Sequence, residues 1–276
     1  VGAELEVVDV GVAGLDEQPA GVEGVEVRRR PIRIGGSGDI SVEPAMTVEE
    51  LEDALQVGVT AVDRAVDDRV DILCLGEMGI GNTTAASAVA ACLLGSPPEE
   101  IVGRGTGIDD EGRRRKVEVV RAAIQRAGIA SEDVSPADAL AVVAEVGGFE
   151  IAALVGACMR AAHHRRAVLL DGFIVSSAAL AAVRCRSEVG GFLIPATLSA
   201  EQGHEQVLEA IDAGSPMFDW GLRLGEASAA VLAAGPLKGA CALFDGMATL
   251  DEVAGGDDGG TCIPNLSGRR WRGCTG

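Results

Sequence analysis

The chain has 276 residues, 47% of them hydrophobic and only 3% aromatic, so we expect a core of alanine, valine, leucine and isoleucine. This length suffices for one large α/β domain or two smaller ones. With 42 acidic and 23 basic residues the net charge is −19, which argues against binding to nucleic acid or to anionic membranes.

Cysteine usage and the lack of long apolar segments predict a cytoplasmic protein. The seven cysteines form no Cys-x-x-Cys pair and their number is odd, which is typical of free thiols in a reducing compartment. No signal peptide is recognisable, and no apolar run reaches about 18 residues, so no membrane span is predicted. Because the sequence opens with valine, we expect a piece of a longer protein.

The first part of the chain is predicted to form two short strands, at 5–10 and 25–27, followed by a long amphipathic helix. Thr47 and Glu50 form a capping box, with a hydroxyl at the cap and a carboxylate three residues later. Apolar residues then recur at helical spacing, which predicts a helix that ends near Asp71.

The stretch 73–84 (LCLGEMGIGNTT) is typical of an apolar strand, a glycine-rich turn and a helix that begins at Asn82 or Thr83. The free N–H groups at such a helix start can bind a phosphate. The spacing from Gly76 to Gly81 matches a P-loop, but Asn82 stands where a P-loop needs lysine, which disfavours a nucleoside triphosphatase. A phosphate-ester site and a tight turn without a ligand both remain open.

A second strand and glycine-rich turn are predicted at 101–107, before a helix that Asp109 opens. The basic run 113–116 lies inside that helix. Such a run is usually a solvated face, but its position beyond a glycine-rich loop raises the chance that one cation, such as Lys116, points inward.

Strands and helices alternate along the rest of the chain, with strands predicted at 167–170 and 192–194 and helices predicted at about 176–185 and at 227–234. This pattern predicts an α/β fold with an open, mostly parallel sheet and helices on both faces. Polar and glycine-rich groups follow the predicted strands, at the edge where such sheets bind ligands. These groups are Glu77 and Gly79, Gly105 and Thr106, Asp171 and Gly172, and Ser199 and Glu201. We expect one α/β domain over 1–253 and a disordered tail over 254–276, whose composition has no periodicity.

Neither a metal site nor a serine nucleophile is supported by the sequence. His163 and His164 are adjacent and cannot face the same way on a helix, His204 stands alone, and no cysteine pair has ligand spacing. The chain also lacks a Gly-x-Ser-x-Gly nucleophile elbow.

Carboxylates in apolar, glycine-flanked settings remain as candidates, namely Glu77, Glu201 and Glu226. Leu222 and Leu224 are expected to place Glu226 in a hydrophobic environment, where burial would raise its pKa and suit it to general-base catalysis. The alternative is a carboxylate at a helix start that faces solvent.

Four stretches, in this order, resemble the nicotinate-nucleotide–dimethylbenzimidazole phosphoribosyltransferase family: 76–84 (GEMGIGNTT), 103–107 (GRGTG), 171–174 (DGFI) and 222–226 (LRLGE). The similarity continues at 8–11 (VDVG), 43–46 (EPAM), 144–152 (AEVGGFEIA) and 247–249 (MAT), and it covers about 5–253. One such turn would be weak evidence, but the ordered set is specific.

The resemblance implies transfer of the 5-phosphoribosyl group from nicotinate mononucleotide to 5,6-dimethylbenzimidazole, with inversion at the anomeric carbon. The products are nicotinate and α-ribazole 5′-phosphate, the lower-ligand nucleotide of cobalamin. The resemblance also implies a homodimer, a Rossmann-like sheet with a small helical domain that is incomplete here, and no metal or bound cofactor.

The family's general base falls on Glu226, which would take a proton from the benzimidazole-type acceptor. By the same resemblance, the substrate-binding residues are Glu77, Gly79, Gly81, Asn82, Gly105, Thr106, Lys116, Asp171, Gly172, Ser199 and Leu224.

This sequence departs from the family pattern in three places. Ala196-Thr197-Leu198-Ser199 replaces Ser-His-Arg-Ser, and Ala227-Ser228-Ala229 replaces Gly-Thr-Gly. The family's N-terminal portion, which supplies much of the benzimidazole pocket, has no counterpart in the sequence. These departures keep open an alternative, a non-catalytic nucleotide- or phosphate-binding protein on the same fold.

Overall fold

A computed structural model describes residues 1–14, 25–105, 107–129, 135–250 and 253. Thr106 and the predicted tail 254–276 therefore lie outside the described residues. The strands are β1 (Glu6–Asp9), β2 (Glu26–Arg29), β3 (Ile72–Leu75), β4 (Ala167–Leu170) and β5 (Leu193–Pro195). The helices are α1 (Val48–Asp67), α2 (Asn82–Leu94), α3 (Pro98–Ile101), α4 (Asp110–Ala127), α5 (Pro136–Val146), α6 (Phe149–His163), α7 (Phe173–Cys185), α8 (His204–Ile211) and α9 (Ser228–Gly246), with a 3₁₀ helix at Ser187–Phe192.

The central sheet is parallel and has the order β3-β4-β5. Leu75 pairs with Leu170, which pairs in turn with Pro195, so the three strands end at one edge. The strands β1 and β2 form a separate parallel pair. The predicted parallel α/β architecture is confirmed.

Side chains of β4 alternate between two apolar cores, as the period of a strand requires. Val168 and Leu170 belong to the larger core, which includes residues of α6 and α7, whereas Leu169 faces a smaller core built with α9. Helices therefore cover both faces of the sheet, as predicted. No helix in the described ranges is both long and apolar enough to cross a membrane.

Helices α1 and α6 approach closely because a glycine of each faces the other. A Cβ on Gly58 would collide with the carbonyl oxygen of Ala153, and one on Gly156 would collide with that of Leu55. The Asp63 carboxylate also accepts a hydrogen bond from Arg160 Nε at 2.6 Å. This packing fixes the position of α6, whose first turn reaches the candidate site.

Three element boundaries differ from the sequence predictions. The strand expected at 101–107 is not formed, because Pro98 starts the short helix α3 and the buried Val102 has no strand partner among the described residues. Helix α7 begins at Phe173 rather than at Ser176. Helix α9 continues through Pro236 instead of ending before it. The capping box of α1 is confirmed.

Candidate functional site

The segments that follow β3, β4 and β5 meet at the carboxyl edge of the sheet. They begin at Gly76, Asp171 and Ala196 respectively. Because parallel strands end together, this edge collects loops that are distant in sequence. The predicted clustering is confirmed for the groups at Glu77, Asp171 and Ser199, which follow β3, β4 and β5. The strand predicted before Gly105 and Thr106 is not formed, and Thr106 lies outside the described residues.

The loop after β3 ends in an uncapped helix start. Gly81 has a φ of 85°, which glycine adopts without steric cost, and it precedes α2 with no side chain that caps the helix. The N–H groups of Asn82 and Thr84 donate to the carbonyl oxygens of Gly79 and Gly81 within this turn. The helix start therefore offers an anion its dipole and the N–H of Thr83. Gly79, Gly81 and Asn82 line a broad cleft beside this loop. This geometry fits the expected phosphate or nucleotide contact, which stays a prediction.

The segment before α9 is interleaved with this loop. The Glu77 N–H donates a hydrogen bond to the Gly225 carbonyl oxygen at 2.7 Å. A Cβ on Gly76 would collide with the backbone of Ala227, and one on Gly225 would collide with the Glu77 carboxylate. Two glycines thus allow the close contact that brings Glu226 beside Glu77.

Four carboxylates interact electrostatically at this junction. Burial raises the pKa of Glu77 to about 7, a hydrogen bond from the Asn82 amide opposes this rise, and the charges of Glu150, Asp171 and Glu226 add to it. Burial also raises the pKa of Glu150, and the nearby Asn82 amide opposes that rise. Asn82, where a P-loop has lysine, therefore serves as a donor to the Glu77 carboxylate.

Glu226 lines the broad cleft, and its side chain is exposed. The expectation that Leu222 and Leu224 bury it in an apolar setting is wrong for the chain described, because Leu224 itself is 57% exposed. Glu226 precedes Ala227, which caps α9 in a left-handed conformation with a φ of 60°. The carboxylate is accessible from the cleft, and its catalytic role stays a prediction.

Asp171 lies beneath the cleft rather than in its lining. It is 1% exposed, and its Oδ1 accepts a hydrogen bond from the backbone N–H of Ala230 at 2.9 Å. Burial raises the pKa of Asp171, and the hydrogen bonds from the α9 backbone oppose that rise. Asp171 therefore anchors the start of α9 to the end of β4, and its predicted substrate contact remains untested.

A small cavity of about 40 Å³ lies on the other side of Glu77. Its lining includes the predicted site residues Gly105, Gly172, Ser199 and Leu224. Since Glu77 lines both the cavity and the broad cleft, it separates two compartments of one site.

Lys116 lies beside this cavity. It is 8% exposed, and its Nζ donates to Thr83 Oγ1 at 2.9 Å. Burial lowers the pKa of Lys116, and the charge of Glu201 opposes that change. The proposal that one cation of the basic run 113–116 points inward is therefore correct for Lys116.

A buried histidine fixes the loop that carries Ser199. His204 Nδ1 accepts a hydrogen bond from the Ser199 N–H at 2.8 Å, so Nε2 carries the proton and donates to Ser176 Oγ at 2.9 Å. Burial lowers the pKa of His204 to about 4, and the ring is neutral at physiological pH. Sequence reasoning recorded His204 only as an isolated residue.

Glu150 was also missed as a member of the site. The signal available was its position just after Gly147-Gly148, at the start of an apolar helix. No group of three or more histidine, cysteine, aspartate or glutamate side chains in the described ranges is arranged to hold a metal ion.

This parallel α/β fold, with an uncapped helix start and a buried lysine beside a glycine-rich loop, is suited to holding a phosphorylated sugar. The family model described as "Phosphoribosyltransferase" matches residues 1–254 of the chain. The class of protein is therefore a phosphoribosyltransferase.

Curated relatives define the family more narrowly. The nicotinate-nucleotide–dimethylbenzimidazole phosphoribosyltransferase of Bradyrhizobium diazoefficiens is 48% identical over 253 residues, which are 92% of this chain and 69% of that protein. The protein of the same name from Roseiflexus sp. (strain RS-1) is 44% identical over 92% of this chain and 68% of its own length. The chain belongs to the nicotinate-nucleotide–dimethylbenzimidazole phosphoribosyltransferase family.

Solved structures agree with this assignment. The crystal structure of CobT from Thermus thermophilus superposes with a TM-score of 0.81 at 41% sequence identity. The match covers 90% of this chain and 71% of that chain. The chain thus spans roughly two thirds of the length of its relatives. The residues that the family model matches, 1–254, include the whole site described above.

Proposed function

We propose that this protein transfers the 5-phosphoribosyl group from nicotinate mononucleotide to 5,6-dimethylbenzimidazole and releases nicotinate. The observation that carries the proposal is the contact between Glu77 and Gly225. It holds an accessible carboxylate, Glu226, over the loop that would bind the donor nucleotide. The names of the relatives supply the two substrates, and the site supplies groups suited to each.

The donor would bind through its phosphate and ribose. Lys116 offers a buried positive charge, and the starts of α2 and α7 offer N–H groups without side-chain caps. Gly105 and Ser199 line the cavity between them. This set of groups would hold the phosphoribosyl group still while the anomeric carbon faces the cleft.

The acceptor would attack from the broad cleft. One benzimidazole nitrogen gives its lone pair to the anomeric carbon, while the bond from that carbon to the pyridinium nitrogen breaks and its electron pair leaves with nicotinate. Glu226 takes the proton from the other benzimidazole nitrogen, so the product carries no extra charge on the base. Attack opposite the leaving group inverts the anomeric carbon to the α configuration.

We also propose that the protein works in the cytoplasm as a homodimer. Several large apolar side chains are exposed at and after the end of α9, which supports a surface that a second subunit covers. They are Leu243, Phe244, Met247 and Leu250. Free cysteines, among them the buried Cys92 and Cys158, support a reducing compartment.

The test is to incubate the protein with nicotinate mononucleotide and dimethylbenzimidazole and to quantify both products. We expect nicotinate and α-ribazole 5′-phosphate in equal amounts, with only the α anomer formed. Nucleotide binding without any product would favour the non-catalytic binding protein instead, and nicotinate release that does not depend on the benzimidazole would indicate hydrolysis.

A further inference from the structure

Glu201 has a buried carboxylate whose hydrogen-bonding capacity is not fully satisfied by the described residues. The residue is 8% exposed, and its Oε2 is buried without a hydrogen-bond partner in the structure of the described residues. A buried carboxylate oxygen without a donor is unfavourable, and native proteins retain one where a ligand or function compensates. Such an oxygen marks a place where a donor is expected.

The carboxylate of Glu201 faces the small cavity. It lines this cavity together with Thr83, Gly105 and Ser199. It also lies directly over Gly103, where any Cβ would collide with Oε2. The glycine at 103 therefore makes room for the carboxylate at the entrance of the second glycine-rich loop.

Lys116 and Glu201 flank the cavity without closing on each other. The two charges attract, yet no ion pair within 4.0 Å joins them in the part of the chain that the structure describes. A ligand that fits between them must bring an anion to the lysine and a hydrogen-bond donor to the carboxylate, since an ionised carboxylate only accepts. A sugar phosphate has both groups.

The backbone of Glu201 is held on two sides. Its N–H donates to Ser199 Oγ at 3.3 Å, and its carbonyl oxygen accepts from the His204 N–H at 3.1 Å. The neighbouring Gln202 accepts a hydrogen bond from Arg113 Nη2 at 2.8 Å. The carboxylate is thus preorganised, as a residue that selects a ligand should be.

We propose that Glu201 accepts a hydrogen bond from a ribose hydroxyl of the donor nucleotide and thereby selects ribose over deoxyribose. This inference rests on the proposed function. A site built to bind a hydroxyl rejects the analogue that lacks it, because the buried acceptor is then left unpaired. A purely structural role of Glu201 would affect ribose and deoxyribose ligands equally.

Calorimetry with nicotinate mononucleotide and its 2′-deoxy and 3′-deoxy analogues tests the proposal. We expect the wild-type protein to bind the ribonucleotide about 10- to 100-fold more tightly than one of the two analogues. Glu201→Met keeps the side-chain length and removes the acceptor, so the variant should lose this preference while its affinity for that analogue is unchanged. Glu205→Met, at an exposed position of α8, is the matched control and should keep the preference.

Equal wild-type affinity for all three ligands would overturn the proposal even if Glu201→Met failed to fold. Preference retained in a folded Glu201→Met variant would also overturn it. If the wild-type protein transferred the phosphoribosyl group but showed no preference, this inference alone would fall. If it bound no nicotinate mononucleotide at all, the proposed function would fall as well.

Discussion

The backbone N–H of Glu77 donates a hydrogen bond to the carbonyl oxygen of Gly225 at 2.7 Å. The two residues are far apart in sequence, yet this bond joins the loop after β3 to the segment that carries Glu226. The loop would hold the donor, and Glu226 would take a proton from the acceptor. The position of Glu226 relative to the donor-binding loop therefore depends on this one backbone hydrogen bond.

Gly76→Ala should disrupt this contact. The new Cβ would meet the backbone of Ala227, which cannot move as freely as a side chain. We expect a loss of about 1–3 kcal/mol in the free energy of unfolding, measured by urea denaturation, and a slower transfer reaction. Gly239→Ala is the control, since its Cβ meets nothing within 4 Å on α9. It should stabilise the protein by about 0.5–1 kcal/mol. Equal effects of the two substitutions would contradict the close packing at Gly76.

Ala227→Gly should stabilise the protein. Ala227 has a φ of 60°, in the left-handed region that costs a residue with a Cβ about 1–2 kcal/mol. After the entropy of glycine is subtracted, we expect a gain of about 0.5–1 kcal/mol in the free energy of unfolding. Ala240→Gly, the same change at an exposed position inside α9, should instead cost about 1 kcal/mol. Destabilisation by both would show that the αL conformation of Ala227 carries no strain.

Glu77 should make stability depend on pH. Burial raises its pKa from 4.5 to about 7, so between these values the folded protein holds a proton that the unfolded chain has released. The contribution of Glu77 to the free energy of unfolding therefore falls as pH rises through this window. Glu77→Gln still accepts a hydrogen bond from Asn82 but does not titrate. The free energy of unfolding of Glu77→Gln, relative to that of the wild-type protein, should therefore increase from pH 4.5 to 7, as measured by urea denaturation. The same pH dependence of stability in both proteins would contradict the raised pKa.

Lys116→Met should weaken binding only of ligands that carry the phosphate. Loss of a charged hydrogen bond predicts a decrease in affinity for nicotinate mononucleotide of about 10- to 100-fold by calorimetry. Affinity for the nucleoside without phosphate should not change. Lys238→Met removes the other lysine, which donates to the Val1 carbonyl oxygen, and should bind both ligands normally. A similar loss of affinity for the nucleotide and the nucleoside would instead show that Lys116 has a structural role and does not bind the phosphate.

The sequence predicted the central architecture well because its signals are local. Apolar runs such as 167–170 end in glycine or acidic residues, and parallel strands place those residues at one edge. The predicted boundaries of helices and strands were wrong where packing in the folded protein overrode a local sequence rule. Val102 is completely buried without being in a strand, and Pro236 lies inside α9.

The site was predicted less completely, because its geometry depends on contacts between distant segments. The sequence pattern placed Glu226 in an apolar environment, but neighbours in sequence do not determine solvent exposure. Glu150 lies in a stretch that resembles the family but gives no local sign of its role, and His204 belongs to no motif. Their roles depend on Asn82 and Ser199, which only the fold brings near. The identity of the acceptor came from resemblance and from relatives, since no local pattern specifies a benzimidazole.

The most direct test of the central claim is the rate of benzimidazole-dependent nicotinate release by Glu226→Gln. The amide preserves the shape of the side chain but cannot accept the proton, so we predict a rate about 10²- to 10⁴-fold below that of the wild-type protein. Affinity for nicotinate mononucleotide should stay unchanged, because Glu226 lies in the cleft rather than in the lysine-flanked cavity. Release by Glu226→Gln at the wild-type rate would contradict the account.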